Sequence, residues 1–259
     1  MKTNNSDFDS IIYEYDTLTS TQTEAKRLAL SGIQNAIVVT GEQTDGKGRC
    51  GRNWESPHGG GLYVSFLITP KIHPSKIHFI NFVAGLAVMS YLRDLYSINA
   101  VLKWPNDVII ESEHESFTTY KKICGILSEA AINAEDVKFC IVGIGINCKK
   151  DAIPSELSNR ACALDEYINN IDNWNLLRGI SHEFFAGVRN FELYGSDKLL
   201  SDYSSFCSTI GKAVQIVIDN EIINGIAKGI GESGELLVET KNGIEKFNAA
   251  DVFHATILK

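Results

Sequence analysis

Thr44-Asp45-Gly46-Lys47-Gly48-Arg49-Cys50-Gly51-Arg52-Asn53-Trp54 sets three glycines among three cations in seven residues and ends on an indole. Glycine lets the backbone take positive φ and approach a ligand closely. Successive N–H groups in such a turn form an anion-binding nest. Lys47, Arg49 and Arg52 add charge-assisted donors, and a guanidinium meets carboxylate or phosphate with two parallel bonds. The stretch reads as a loop that closes on an anion; the plain alternative is a solvated basic turn. Gly41-Glu42-Gln43-Thr44-Asp45-Gly46-Lys47 also has P-loop spacing as far as its lysine. The next residue should be Ser or Thr, whose hydroxyl binds Mg²⁺, but it is Gly48. Gly48 and Gly51 also make a poor first helical turn, which argues against a P-loop.

Upstream, Ala36 to Val39 is an apolar, β-branched strand that feeds the loop. Further back, Ile11 to Tyr15 is a short strand. Thr21 with Glu24 fits a capping box, and Gly32 fits the stop of the helix between them. The hydroxyls there are ordinary helix caps, but a helix N-terminus also offers spare donors to a small polar ligand. Downstream, Gly59-Gly60-Gly61 implies close backbone contact or a hinge before the strand Leu62 to Ile68. Pro74 to Tyr96 is a long apolar helix. His78, Asn81, Ser90, Arg93 and Asp94 interrupt it, so a buried helix is expected rather than a membrane span.

Lys103-Trp104-Pro105-Asn106-Asp107 joins a strand entering at Ala100 to one leaving through Val108-Ile109-Ile110. Asn-Asp after Pro is ordinary turn chemistry. The run also gathers a cation, an aromatic face, an amide and a carboxylate at a sheet edge. Residues 111–121 form a polar, acidic hairpin loop, and Lys122 to Ala130 is the returning strand. Strict alternation sets Lys122, Cys124 and Ile126 on one face, and Ile123, Gly125 and Leu127 on the other. A solvated lysine is the ordinary reading of Lys122 at the strand end. Gly143 and Gly145 interrupt the β-branched strand Val137 to Asn147, so something must lie against that backbone.

Trp174 to Tyr194 has helical apolar spacing, and another helix lies near Lys198 to Phe206. After Gly211 the pattern changes to short strands with tight turns at Asp219-Asn220, Gly231 to Gly234 and Asn242-Gly243, ending with a strand from Val252 to Ile257. The expected architecture is α/β: residues 1–208 form a mixed sheet with packed helices, and residues 209–259 form a small β-barrel. A net charge of −8 over 259 residues argues against general nucleic-acid binding. The six cysteines have no C-x-x-C spacing, and the polar start is no signal peptide. Reduced thiols in a cytoplasm are expected, without a zinc site or disulfide scaffold.

The order of these features resembles the biotin protein ligases. The matching segments are Ser20-Thr21-Gln22, Gln43 with Gly46 to Trp54, Leu62-Tyr63-Val64-Ser65, Lys103 to Asp107, Lys122 to Leu127, and Gly143 to Asn147. The likeness spans roughly residues 12–259 and includes the β-tail. It implies a biotinyl/lipoyl-ligase-like, class II synthetase-like catalytic domain with an SH3-like tail. It also implies ATP-dependent formation of biotinyl-AMP, then transfer of biotin to a lysine of a biotin carboxyl carrier protein. Lys122 would be the central catalytic cation, with Arg49 and Lys47 closing over the adenylate.

By the same resemblance, Ser20, Thr21, Gln43, Gly46, Lys47, Arg49, Lys122, Gly125 and Gly143 would bind biotin. Arg49, Arg52, Trp54, Lys103, Asn106, Asp107, Lys122 and Asn147 would surround ATP, with Trp54 near the adenine and Asp107 holding Mg²⁺. Lys47 sits where the family often has Arg, so it keeps charge without the fork. About a dozen residues precede the first strand, with no winged helix, so repressor activity is not expected. A lipoate or octanoate ligase of similar fold would lack the Lys103 to Asp107 motif. A non-catalytic biotin-binding regulator would lack Lys122. A monomer and a homodimer both fit the sequence.

Overall fold

The computed structural model describes residues 2–4, 10–113, 118–218, 221–248 and 251–254. In chain order, β1 (Lys2–Asn4) and β2 (Ile11–Leu18) lead to α1 (Thr21–Leu30) and β3 (Ala36–Gln43). Then come β4 (Gly61–Ile68), α2 (Phe79–Tyr96), β5 (Ala100–Lys103), β6 (Asp107–Glu113), β7 (Thr118–Ile132) and β8 (Val137–Asn147). Helices α3 (Asn173–Tyr194) and α4 (Ser196–Phe206) precede the tail: β9 (Ala213–Ile218), β10 (Glu221–Ile230), β11 (Leu236–Thr240), β12 (Gly243–Phe247) and β13 (Asp251–His254). The Asp219-Asn220 turn, the far end of the strand expected to reach Ile257, and part of the 111–121 loop lie outside the described residues.

The first eight strands form one mixed sheet, ordered β1-β2-β3-β4-β8-β7-β6-β5. Its parallel pair is β2 with β3, with α1 as the crossover. The tail strands form a separate antiparallel sheet, ordered β12-β11-β10-β9-β13. Strand alternation divides the core. Ile37, Val39, Val64 and Phe66 pack beneath α2 and α3, whereas Val38, Leu67 and Ile141 pack beneath Ala25 and Leu28 of α1. The Pro74–Tyr96 segment is long and apolar enough to cross a membrane, but more than half of its apolar window is buried inside this protein.

The two faces are covered unequally. α1 packs over β3, β4 and the Ile141 end of β8. Beyond that end, the same face of β8 and β7 carries Gly143, Gly145 and Gly125, which provide a floor without side chains.

Two local expectations change. Ser20, rather than Thr21, caps α1, its side chain accepting from Gln22 N–H. Glu24 does not close a capping box, because Arg27 and Tyr15 hold its carboxylate. In β7, strict alternation fails at a bulge: Val108 faces Cys124 while Ile109 faces Lys122, leaving Ile123 as the extra residue. Ile123 and Cys124 both enter the same core. Lys122 is thereby turned to the side of Gly125, and away from Cys124 and Ile126.

Candidate active site

The open floor becomes a narrow cleft of about 50 Å³ lined by Ser20, Thr21, Gln43, Lys122 and Gly143, among others. The glycine–cation loop roofs it, with Lys47, Gly48, Arg49 and Trp54 in the lining. Trp54 lies on the glycine floor. An added Cβ would come within 2.8 Å of its ring at Gly125 and 2.5 Å at Gly145. These two glycines are required by close approach, not by backbone conformation. The buried Trp54 Nε1 has no hydrogen-bond partner among the described residues. Gly46 supports the same packing, since a Cβ there would run into the Trp54 carbonyl.

At one end of the cleft, Lys122 Nζ pairs with Asp107 Oδ1 at 2.7 Å and lies 5.1 Å from the Trp54 ring centroid. The pairing follows from register: Asp107 faces Gly125 across β6 and β7, and the bulge brings Lys122 round to it. Arg49 Nη1 donates to Asn106 Oδ1 at 2.8 Å, tying the loop to the Lys103–Asp107 turn. Asn106 Nδ2 donates to Ile126 O, which fixes its amide orientation.

At the other end, Thr21 N–H donates to Gln43 Oε1 at 2.9 Å, and the Thr21 hydroxyl reaches the same oxygen at 3.2 Å. Gln43 Nε2 donates to Ser56 Oγ at 2.7 Å, and Ser56 donates to the Trp54 carbonyl at 3.0 Å. Ser65 and Gln22, both buried, continue this network inward. Gln22, Ser56 and Ser65 escaped the sequence reading. Each is a single polar residue whose partners lie on distant strands, although Gln22 and Ser65 stood inside quoted segments.

Other expected residues lie further out. Gly46 and Arg52 line the outer side of the loop beside Leu127 and Glu129. Asn147 donates to Cys162 O at 3.1 Å and borders Lys122 through its longer bond to the Lys122 carbonyl. Lys103 is the clearest departure. Its ammonium lies 5.0 Å from the Tyr120 ring and 5.9 Å from Phe253, at the seam with the tail rather than in the cleft lining. Its neighbour Trp104, the first residue of the turn, is buried and anchored to the tail through Nε1 to Gly234 O, so both residues lie on the tail side.

At the same seam, burial first and the charges of Lys103 and Lys212 second push His254 down to about 3. All six cysteines are free, and five are buried. Burial raises Cys124, beneath Lys122, far above the ordinary thiol range, so it is no nucleophile.

A cationic loop over a glycine floor, with a lysine–aspartate pair at one end and a hydroxyl–amide network at the other, suits activation of a small acid as its adenylate. These features define an acid-activating ligase on a mixed α/β sheet. Residues 15–147 match the biotin/lipoate A/B protein ligase family and residues 209–255 match the biotin protein ligase C terminal domain. The chain belongs to the biotin/lipoate A/B protein ligase family.

The bifunctional ligase/repressor BirA of Bacillus subtilis is 32% identical over 246 residues, covering 93% of this chain and 73% of that protein. The biotin–[acetyl-CoA-carboxylase] ligase of Mycobacterium tuberculosis is 26% identical, covering 91% and 85%. The solved biotin protein ligase of Aquifex aeolicus in complex with biotin and ATP superposes with a TM-score of 0.79. It is 28% identical, covering 96% of this chain and 100% of that one.

Proposed function

We infer that this chain is an ATP-dependent biotin protein ligase. A biotin carboxylate oxygen attacks the α-phosphorus of ATP, forming the acyl–phosphate bond as pyrophosphate leaves. The amine of a carrier-protein lysine then attacks the acyl carbon, forming an amide, losing a proton and releasing AMP. The observation that carries this reading is the end-to-end division of one cleft. A hydroxyl–amide network suits a neutral polar ring, and cations at the other end suit a carboxylate meeting a phosphate.

Both reactants are anions and repel each other, so a cation must lie between them. We assign that role to Lys122, which Asp107 holds in position. Arg49 and Lys47 close over the adenylate, and Arg49 exchanges Asn106 for phosphate oxygens as it does so. Ser20, Thr21, Gln43, Gly125 and Gly143 line the biotin end. Trp54 offers the ligand a ring face and an N–H that has no partner among the described residues. Closure of the loop excludes water that would hydrolyse the mixed anhydride.

Mg²⁺ fits this donor set, since it usually takes one or two carboxylates and keeps phosphate oxygens for the rest. Asp107 Oδ1 is buried with Lys122 as its partner. Asp107, assisted by Asn147, would hold the ion, and its charge would neutralise negative charge developing on the phosphates. The division at residue 209 is also proposed. There the Ser208 N–H donates to Leu102 O, and the tail strands follow. A cytoplasmic location completes the proposal, as six unpaired thiols suit a reducing compartment.

Biotin-dependent exchange of labelled pyrophosphate into ATP tests the function. Exchange with biotin is expected. Exchange with lipoate and none with biotin would overturn the reading.

A further inference from the structure

Ser65 is fully buried on β4, facing Gly143 across the β4–β8 pair, and it does not line the cleft. Its hydroxyl lies 2.8 Å from Thr21 Oγ1 and 3.2 Å from Gln22 Oε1. Both neighbouring amides have their orientation fixed by obligate partners. Gln22 turns Nε2 toward the carbonyls of Leu127 and Ile141, each at 3.4 Å, so its oxygen must face Ser65. Gln43 turns Oε1 toward the Thr21 N–H, which can only donate.

A hydroxyl has one proton to give. Ser65 gives it either to Thr21 Oγ1 or to Gln22 Oε1. Thr21 gives its own either to Gln43 Oε1 or to Ser65 Oγ. When Thr21 donates to Gln43, that oxygen receives two protons, from the Thr21 amide and the Thr21 hydroxyl. Its lone pairs are then occupied.

We propose that Ser65 is a specificity-determining positioning residue. It accepts the Thr21 proton when a ligand N–H arrives at Gln43 Oε1, and passes its own proton to Gln22 Oε1. The pocket can thereby meet a ring that presents N–H groups, such as a cyclic urea, without stranding a buried donor. An acid with an apolar ring offers no proton and gains nothing from the rearrangement. A site built to pair polar groups also rejects ligands that leave them unpaired. This inference rests on the biotin reading and adds to it the device that selects the urea. It also explains the need for glycine at 143: a Cβ there would sit 2.7 Å from Gln22 Oε1, the final acceptor.

The test compares Ser65→Ala with Ser65→Thr and wild type. In the alanine variant, Thr21 has no acceptor besides Gln43 within the network, so Gln43 Oε1 stays occupied. KM for biotin in pyrophosphate exchange should rise about tenfold, in line with one lost buried hydrogen bond, while kcat stays within about twofold. Calorimetry should give a matching rise in Kd for biotin and for desthiobiotin, which keeps the urea. Ser65→Thr keeps the hydroxyl and should recover most of the affinity. Thermal melts of all three check folding independently.

Unchanged biotin affinity in a folded Ser65→Ala variant overturns the inference. So does a fall in kcat with KM unchanged. Absence of biotin-dependent exchange in wild type would instead overturn the underlying function, so the two failures are distinct.

Discussion

Gly145→Ala tests whether the Trp54 seat is what closes the cleft. The new Cβ would lie 2.5 Å from Trp54 Cε2 and Nε1 and 3.0 Å from Cζ2. Carbon atoms at rest sit about 3.5–4.0 Å apart, so the overlap is about 1 Å. The strand cannot yield, because Gly145 is paired with Tyr63 on one side and Gly125 on the other. The indole must leave instead, as it is carried on a loop.

A Trp side chain buries about 150–250 Å², and losing roughly 80 Å² of that on the floor costs about 2 kcal/mol at 25 cal/mol per Å². The contact with Lys122, 5.1 Å from the ring, adds about 1 kcal/mol. The closed loop then loses about 3 kcal/mol, or roughly 10²-fold in population. Pyrophosphate exchange should fall by a comparable factor in kcat/KM, with tryptophan emission shifted to the red and a melting temperature changed by only a few degrees. Wild-type exchange with unshifted emission would refute the reasoning.

Three further outcomes are expected. Lys122→Ala should slow adenylation by on the order of 10²-fold or more while biotin binding stays measurable by calorimetry; wild-type rates would remove Lys122 from the mechanism. Asn106→Ala removes the acceptor of Arg49. Trypsin should then cut within residues 47–52 about tenfold faster, and unchanged cleavage would show that this bond does not hold the loop. His254, pushed down to about 3 by burial and by Lys103 and Lys212, stays neutral in the folded chain while the unfolded chain takes up a proton below about pH 6.5. The unfolded state binds more protons between these values, so stability falls as pH drops through that window. From pH 7 to 5 the loss is about 2 kcal/mol in urea unfolding, and a His254→Gln variant should show correspondingly less pH dependence.

Elements carried by local pattern were legible in the chain. The glycine–cation loop, the break at Pro105, the β8 strand from Val137 to Asn147 and the short-strand tail each announce themselves through neighbouring residues. So did the family, because its motifs occur in a fixed order. The bulge at Ile123 was not legible. It arises from how β6 and β7 pair, and a strand read alone keeps strict alternation. The same limit misassigned the cap of α1, because Glu24 was drawn off by Tyr15 across from the helix. Lys103 was placed around ATP through the motif that contains it, but its ammonium meets Tyr120 and Phe253 at the seam with the tail, contacts between distant segments that the motif does not show.

The sequence by itself determined which chemical groups are present: a basic, glycine-rich loop, a lysine on a returning strand, a carboxylate after a turn, and hydroxyls at a helix start. Local propensity and motif order are written in neighbouring residues, so they survive without coordinates. Only the tertiary structure decided which groups meet. The bulge turns Lys122 to Asp107, Gly125 and Gly145 on neighbouring strands meet to seat Trp54, and Ser65 joins Thr21 to Gln22 from a strand more than 40 positions away in the chain. Those meetings depend on register and coverage between segments, which no single stretch of sequence encodes.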